Sequence, residues 1–209
     1  MTVAIAKPTS PETQQENSKK IAFEEFLEFD DGTDFMYELE NGELIQMASE
    51  SEINQRIAVF LLIYFSQLGI PASRLRMKSE IAVNSRMMGV RAPDLVIFSE
   101  ELAAVMQGAK RSLVMLDMPA PELVVEVVSV GQQFDIAHCK ENRDYRYKRS
   151  EYAARGIAEY WVVDAIAQKI TLFQWVEGFY DEFVFTREMV ISSPLLGELT
   201  LTAAQVLQV

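Results

Sequence analysis

The sequence has very little cysteine and histidine, with one of each in 209 residues. A lone cysteine cannot form an internal disulfide, and so few thiols and imidazoles offer no ligand set for zinc or copper. Nothing in this usage indicates an oxidising compartment, so we expect a cytoplasmic protein.

Long hydrophobic runs are also absent. The longest strongly apolar run, Ile57 to Phe65, is nine residues, whereas a membrane-spanning helix needs about 20. Residues 1–20 contain Pro, Ser, Thr, Gln and Glu without the apolar core of a signal peptide. We therefore expect no membrane span, a flexible N-terminal tail over residues 1–20, and a single domain over residues 21–209.

Basic residues are scarce, since 19 Lys and Arg stand against 31 Asp and Glu and leave a formal net charge of −12. Lys and Arg provide most of the affinity for a phosphate backbone, so this balance excludes a protein whose whole surface binds nucleic acid. Any phosphate chemistry must be local. Hydrophobic residues at 49% and charged residues at 24% are typical of a globular chain.

Periodicity predicts the first half of the domain. Apolar spacing indicates helices over 21–29 and 52–68. Asn41-Gly42 between two alternating segments indicates a β-hairpin over 37–44. Alternation over 76–84 indicates a strand, and we expect residues 85–92 to form a loop.

Two near-continuous apolar runs, 94–98 and 123–128, are typical of central strands that are covered on both faces. Around them we expect helices over 100–108 and 136–155, a loop over 110–121, strands over 159–163 and 169–176, and a C-terminal strand, loop and short helix from Thr202. This order predicts an α/β domain with a central mixed β-sheet flanked by helices and an N-terminal β-hairpin.

Each central run contains one acid. Asp94 opens PDLVIF and Glu126 interrupts LVVEVV, and an unpaired carboxylate in such surroundings costs several kcal/mol. One interpretation is that each acid lies in water at a strand end or pairs with a buried arginine. The other is that both hold a divalent cation, since Mg²⁺ takes one or two carboxylates together with phosphate oxygens.

The segment 140–155 is the one basic part of the chain. It has six basic residues and three acids, an excess of about three positive charges. If it is helical, Asp144, Lys148 and Tyr152 share one face. The segment is either a solvated helix with ion pairs, or a functional one. In the second case Lys148 faces the carboxylates, and the neighbouring Arg143, Arg146 and Arg149 contact a nucleic-acid backbone.

Five motifs in order carry a family resemblance: YELENGEL (37–44), RAPDLV (91–96), PELVVEVVS (121–129), Asp-x-x-x-Lys-x-x-x-Tyr (144–152) and GIAEYWVVD (156–164). This pattern resembles the Uma-type family of bacterial restriction-endonuclease-like proteins, within the PD-(D/E)xK nuclease superfamily. The resemblance covers about residues 23–176 and implies a restriction-endonuclease-like core.

The resemblance also implies site residues. Asp94 and Glu126 match the two acidic metal ligands, and Lys148 replaces the lysine that the superfamily has where this chain has Val128. Glu38 and Glu80 match positions where the family tends to have acids, and each is either a further ligand or supporting group, or an ordinary exposed strand glutamate. The chain departs from the family at Asn54, where many relatives have histidine, and in a longer passage from Ser129 to Asp144.

The implied activity is Mg²⁺- or Mn²⁺-dependent hydrolysis of phosphodiester bonds. Asp94 and Glu126 are the expected metal ligands, and Lys148 is the third catalytic residue. Asp144 is a candidate supporting residue, and Tyr152 either packs in the core or makes a supporting hydrogen bond near the site. We expect DNA as a partner bound weakly and in a salt-sensitive way, and a homodimer. The alternative is a catalytically silent binding or assembly module on the same fold.

Overall fold

The computed structural model describes residues 20–47, 49–84, 86–128 and 143–209. Apart from Lys20, the expected N-terminal tail lies outside these residues. So does the first part, 136–142, of the helix predicted over 136–155. The rest of that helix is present, with a π-helical turn at Arg143–Lys148 that leads into an α-helix.

The α-helices confirm the periodic segments of the sequence. Helix α2 begins after Ser51, whose hydroxyl accepts a hydrogen bond from the Asn54 N–H at 3.3 Å, and it ends before Gly69, whose φ is +94°. No helix in the described ranges is long and apolar enough to cross a membrane. Helices α1 to α5 run over Phe23–Leu27, Glu52–Gln67, Glu100–Val105, Arg149–Arg155 and Ala203–Leu207.

The strands form two main sheets and one separate hairpin. Strands β1 to β13 run over Tyr37–Glu40, Glu43–Gln46, Leu75–Met77, Glu80–Asn84, Met88–Arg91, Leu95–Ile97, Leu113–Val114, Leu123–Val127, Glu159–Asp164, Lys169–Val176, Phe179–Thr186, Val190–Ser193 and Gly197–Thr202. One sheet has the order β2-β1-β5-β4-β7, the other β11-β10-β9-β8-β6-β3, and β12 pairs with β13. The six-stranded sheet is mixed, because β8 and β9 are parallel and its other pairs are antiparallel.

The hairpin of β1 and β2 follows from two residues. Asn41 and Gly42 have φ values of +51° and +84°, and two positive φ values in a two-residue loop match the twist of paired strands. The register joins Glu40 to Glu43 and Tyr37 to Gln46. The predicted N-terminal hairpin is confirmed.

Three sequence predictions were wrong in part. The single strand predicted over 76–84 is two strands, β3 and β4, which belong to different sheets. The break lies at Lys78, whose φ of +54° turns the chain from one sheet to the other. The loop predicted over 85–92 contains β5, and the loop over 110–121 contains the short β7, because both pair with β4.

The central strands β6, β8 and β9 of the six-stranded sheet are buried on both faces. Alternate residues of β6, β8 and β9 pack into two separate hydrophobic clusters, one that includes α2 and α5 and one that includes α3 and α4. Leu95, Val96 and Ile97 are completely buried. The prediction of central strands covered on both faces, and of a mixed α/β domain, is confirmed.

Candidate active site

Asp94 and Glu126 lie on the same face of the six-stranded sheet. Strands β6 and β8 pair with Leu95 opposite Val125, and this register continued by one residue puts Asp94 opposite Glu126. Asp94 and Glu126 lie two residues from Val96 and Val124, which belong to the cluster on the α4 side, so both acids face that side. Residues directly opposite in an antiparallel pair have Cβ atoms about 5 Å apart. Asp94 and Glu126 are therefore neighbours on one face of the sheet.

Asp94 is buried and held from two sides. One carboxylate oxygen accepts a hydrogen bond from the Val127 N–H at 2.5 Å, and the other lies 2.5 Å from the Lys78 ammonium. Burial raises the pKa of the Asp94 carboxyl, against the opposing charge of Lys78 and the hydrogen bond from Val127. The Lys78 ammonium and the Val127 N–H therefore both favour the charged form of Asp94, against the effect of burial.

Glu126 contacts Lys148 and Tyr152, two of the side chains that the helical spacing places on one face. Its Oε1 lies 2.7 Å from the Lys148 ammonium and accepts a hydrogen bond from the Tyr152 hydroxyl at 3.0 Å. Burial, and then the charge of Glu126, raise the pKa of the Tyr152 phenol well above its ordinary value. Tyr152 therefore remains a proton donor to Glu126 at neutral pH.

Glu38 reaches the same lysine from the other sheet. Its Oε1 lies 3.3 Å from the Lys148 ammonium and accepts a hydrogen bond from the Ala92 N–H at 3.2 Å. With 2% of its surface exposed, Glu38 is not the exposed strand glutamate of the alternative interpretation. Lys148 thus bridges the five-stranded sheet through Glu38 and the six-stranded sheet through Glu126.

Arg91 fixes the surroundings of Glu38. Its guanidinium makes a bidentate contact with Glu151 of α4, at 2.7 Å for both hydrogen bonds, and lies 2.8 Å from Glu40 and 3.4 Å from Glu38. Burial lowers the pKa of Arg91, but the bond to Glu151 and the three carboxylate charges outweigh it and raise that pKa well above its ordinary value. This buried arginine locks α4 against the five-stranded sheet.

Several predicted residues have other partners or lie outside the description. Glu80 forms a bidentate pair with Arg111, at 2.6 and 2.7 Å. Arg149 contacts Glu182 at 3.0 Å and lies over the Phe173 ring, while Arg146 is exposed. The side chains of Arg143 and Asp144 lie outside the described part of the chain, so their predicted contacts stay predictions.

Sequence reasoning missed three members of this network. Lys78, Glu50 and Glu151 were not among the candidates, and Arg91 and Glu40 entered only as parts of motifs. The sequence indicated that each buried acid needs a cation beside it. It did not indicate which lysine or arginine supplies that cation. The structure gives each central acid a lysine, Lys78 for Asp94 and Lys148 for Glu126, whereas the buried arginine pairs elsewhere.

The charged side chains around the two central acids form two groups, one on Lys78 and one on Lys148 and Arg91, and acids outnumber cations among the described residues of each group. Among the described residues, six carboxylates contact three cations, an excess of three negative charges when all are ionised: Glu38, Glu40, Glu50, Asp94, Glu126 and Glu151 against Lys78, Arg91 and Lys148. No three Asp, Glu, His or Cys side chains in the described ranges converge as a ready-made metal-ligand set. The donors on the shared face are nevertheless carboxylate oxygens, which fit Mg²⁺ or Mn²⁺.

Comparison with known proteins identifies the family. The family model Uma2, described as "Putative restriction endonuclease", matches residues 23–204. The chain belongs to the Uma2 family. A solved structure described as a "putative nuclease belonging to DUF820", from Anabaena variabilis ATCC 29413, has a TM-score of 0.70 and 16% sequence identity, and the match covers 90% of this chain and 98% of that chain. No curated protein matches.

The match to Uma2 confirms the resemblance read from the five motifs, and the solved structure confirms the predicted fold. The Uma2 match extends beyond residue 176, so the family includes the C-terminal strands as well as the central sheet.

Proposed function

We propose that this Uma2 protein is a metal-dependent endonuclease that hydrolyses phosphodiester bonds in DNA. The observation that carries the proposal is the Lys148 ammonium, 2.7 Å from Glu126, on the sheet face that also bears Asp94. Two carboxylates beside a buried lysine make a site with both negative ligands and a positive charge for a phosphate.

In this proposal Asp94 and Glu126 hold Mg²⁺ or Mn²⁺. When bound, such an ion lowers the pKa of a coordinated water and neutralises negative charge on the phosphate. Lys148 stabilises the charge of the attacking oxygen or of the phosphate in the transition state. Tyr152 orients Glu126 by its hydrogen bond, and Glu38 holds Lys148 from the opposite sheet.

The substrate contact is electrostatic and weak. Arg143, Arg146 and Arg149 lie just before or at the start of α4, where we propose that they contact the phosphate backbone. The net charge of −12 opposes tight binding to DNA, so affinity is low and falls as salt rises. Cleavage of both strands of a duplex favours a homodimer with two-fold symmetry. The low cysteine content favours a cytoplasmic location.

The test is metal-dependent cleavage of plasmid DNA, with oligonucleotides of DNA and RNA as further substrates. Wild-type protein is compared with D94N, E126Q and K148M, and with K110M as a matched control, because Lys110 is an exposed lysine. We expect cleavage by the wild type and K110M in Mg²⁺ or Mn²⁺, and loss of cleavage in the three site variants. Circular dichroism verifies that each variant is folded.

The endonuclease proposal would be rejected if the wild type cleaved no substrate faster than the three site variants do. A folded wild type that binds nucleic acid without cleaving it would instead support the silent binding module. Cleavage of RNA but not of DNA would support the proposed phosphodiester hydrolysis and would change the proposed substrate from DNA to RNA.

A further inference from the structure

Lys78 occupies an unusual position beside the candidate metal ligand Asp94. It follows β3, whose Met77 pairs with Leu95, and its own N–H donates to the Asp94 carbonyl at 3.4 Å. Its φ is +54°, a left-handed conformation that is uncommon for residues other than glycine and that clusters at functional sites. The turn between the two sheets thus places Lys78 next to Asp94 across the strand pair.

The ammonium of Lys78 contacts two carboxylates. It lies 2.5 Å from Asp94 Oδ1, and it also contacts Glu50, from the segment before α2. The three side chains are 23% exposed for Lys78, 20% for Glu50 and 11% for Asp94. Two carboxylate oxygens thus converge on one small cation in a largely buried setting.

The charge of this lysine is stable. Burial lowers the pKa of the Lys78 ammonium, but the charge of Asp94 and the hydrogen bonds from the ammonium to Asp94 and Glu50 outweigh that effect and raise the pKa above its ordinary value. The lysine therefore keeps its positive charge in contact with Asp94 and Glu50.

We propose that Lys78 is a positioning residue that stands in for the metal: its ammonium occupies the Asp94 carboxylate in the metal-free protein and leaves Asp94 for Glu50 when a divalent cation binds. This inference rests on the proposed metal site at Asp94 and Glu126. Glu50 serves as the acceptor that keeps the displaced ammonium next to the site.

The physical argument is competition for one carboxylate. A divalent cation and an ammonium repel each other strongly at contact distance in a partly buried site, so both cannot share the same Asp94 oxygen. The cation must therefore displace Lys78, and its apparent affinity is reduced by the strength of the ion pair that it breaks. Removal of the ammonium should then strengthen metal binding, whereas removal of a merely structural lysine should not.

The experiment measures Mn²⁺ binding alone by isothermal titration calorimetry, without substrate. The proteins are wild type, K78M, D94N and the matched control K110M, with folding checked by circular dichroism. We expect K78M to bind Mn²⁺ about tenfold more tightly than the wild type, K110M to equal the wild type, and D94N to lose binding. Binding by K78M with none by the wild type would equally support the inference.

Two results would overturn the inference in different ways. Equal or weaker binding by K78M, with Asp94-dependent binding by the wild type, rejects the role of Lys78 and leaves the proposed metal site intact. No Mn²⁺ binding by either protein rejects both the role of Lys78 and the proposed metal site.

If K78M does not fold, a second experiment replaces it: amine-reactive labelling of the wild type, read by mass spectrometry with Lys110 as the internal reference. Mg²⁺ should then accelerate labelling of Lys78, and an unchanged or slower rate rejects its displacement.

Discussion

The Lys148 ammonium lies 2.7 Å from the Glu126 carboxylate, although the lysine is on a helix and the glutamate on a central strand. Where the superfamily pattern has its lysine two residues after the glutamate, this chain has Val128, which is buried. In this chain the positive charge beside Glu126 therefore comes from a helix and not from the strand that carries the glutamate. The function of the site should depend on how α4 is docked against the sheets.

The first prediction concerns Lys148 itself. K148M should lower the cleavage rate by about 10²- to 10³-fold, the usual loss when one group that stabilises transition-state charge is removed. Mn²⁺ binding should persist, because Asp94 and Glu126 remain. Cleavage kinetics and calorimetry on the same preparation test this split. A K148M protein that cleaves as fast as the K110M control would show that the lysine has no catalytic role.

The second prediction concerns the buried arginine. R91M leaves Glu38, Glu40 and Glu151 without the guanidinium they share, and breaking a buried ion pair from one side typically costs about 3–5 kcal/mol. Urea unfolding should detect a loss of that size. R111M is the matched control: Arg111 is 40% exposed in its pair with Glu80, so its removal should cost about 1 kcal/mol or less. Equal losses in the two variants would contradict the proposed importance of Arg91.

The third prediction concerns close packing of β5 against β1. A Cβ atom on Gly89 would lie 2.5 Å from the carbonyl oxygen of Leu39, so G89A should push the two strands apart and cost about 1–3 kcal/mol of unfolding free energy. The control variant G32A tests whether a glycine-to-alanine change without a steric clash destabilises the protein as much. Gly32 has a φ of +73° but no atom within 4 Å of the added Cβ, so we expect only the backbone cost of about 1 kcal/mol. A smaller loss in G89A than in G32A would refute the clash.

The fourth prediction concerns alkaline pH. Burial raises the pKa of both the Tyr152 and the Tyr180 phenols, and Tyr180 donates to the Ile157 carbonyl at 2.8 Å. Because the folded pKa is raised, the stability from each phenol is complete below the unfolded pKa of about 10 and is lost as pH rises toward the folded value. The free energy of unfolding should fall above pH about 10 by about 1.4 kcal/mol per pH unit for each phenol.

Y180F isolates one of these two contributions. It should lower stability at neutral pH through the lost hydrogen bond, while making the decline above pH about 10 shallower. Urea unfolding at a series of pH values measures both effects. If the free energy of unfolding falls with pH as steeply in Y180F as in the wild type, the Tyr180 phenol of the wild type ionises as readily in the folded protein as in the unfolded chain.

The sequence predicted the elements whose signal is local. The Asn41-Gly42 turn, the apolar period of α2 and the continuous apolar runs of β6 and β8 each follow from neighbouring residues, and all three are present. Helical spacing put Lys148 and Tyr152 on one face, and the family motifs placed Lys148 beside the carboxylates. The hydrogen bond of Tyr152 to Glu126 was one of two interpretations of that residue, the other being core packing. Such local patterns also placed Asp94 and Glu126 on adjacent strands.

The remaining features depend on contacts between distant residues. The alternation over 76–84 continues through Lys78, so it gives no sign that the chain changes sheets there. Strand β5 is short, and its identity comes from its partners β4 and β1. The same is true of Glu50 and Glu151, which are ordinary glutamates in the sequence and join the site only when the two sheets and α4 meet.

The bridge that Lys148 makes between Glu38 and Glu126 has a consequence for the order of assembly. Neither sheet alone contains the whole constellation, and the contacts that join them are far apart in the chain, which makes them slow to form. A nascent or partly unfolded molecule would therefore lack the complete site even with Mg²⁺ present. Under the proposed function, hydrolytic activity would arise only at the end of folding, which would protect the DNA of the producing cell from immature copies of the enzyme.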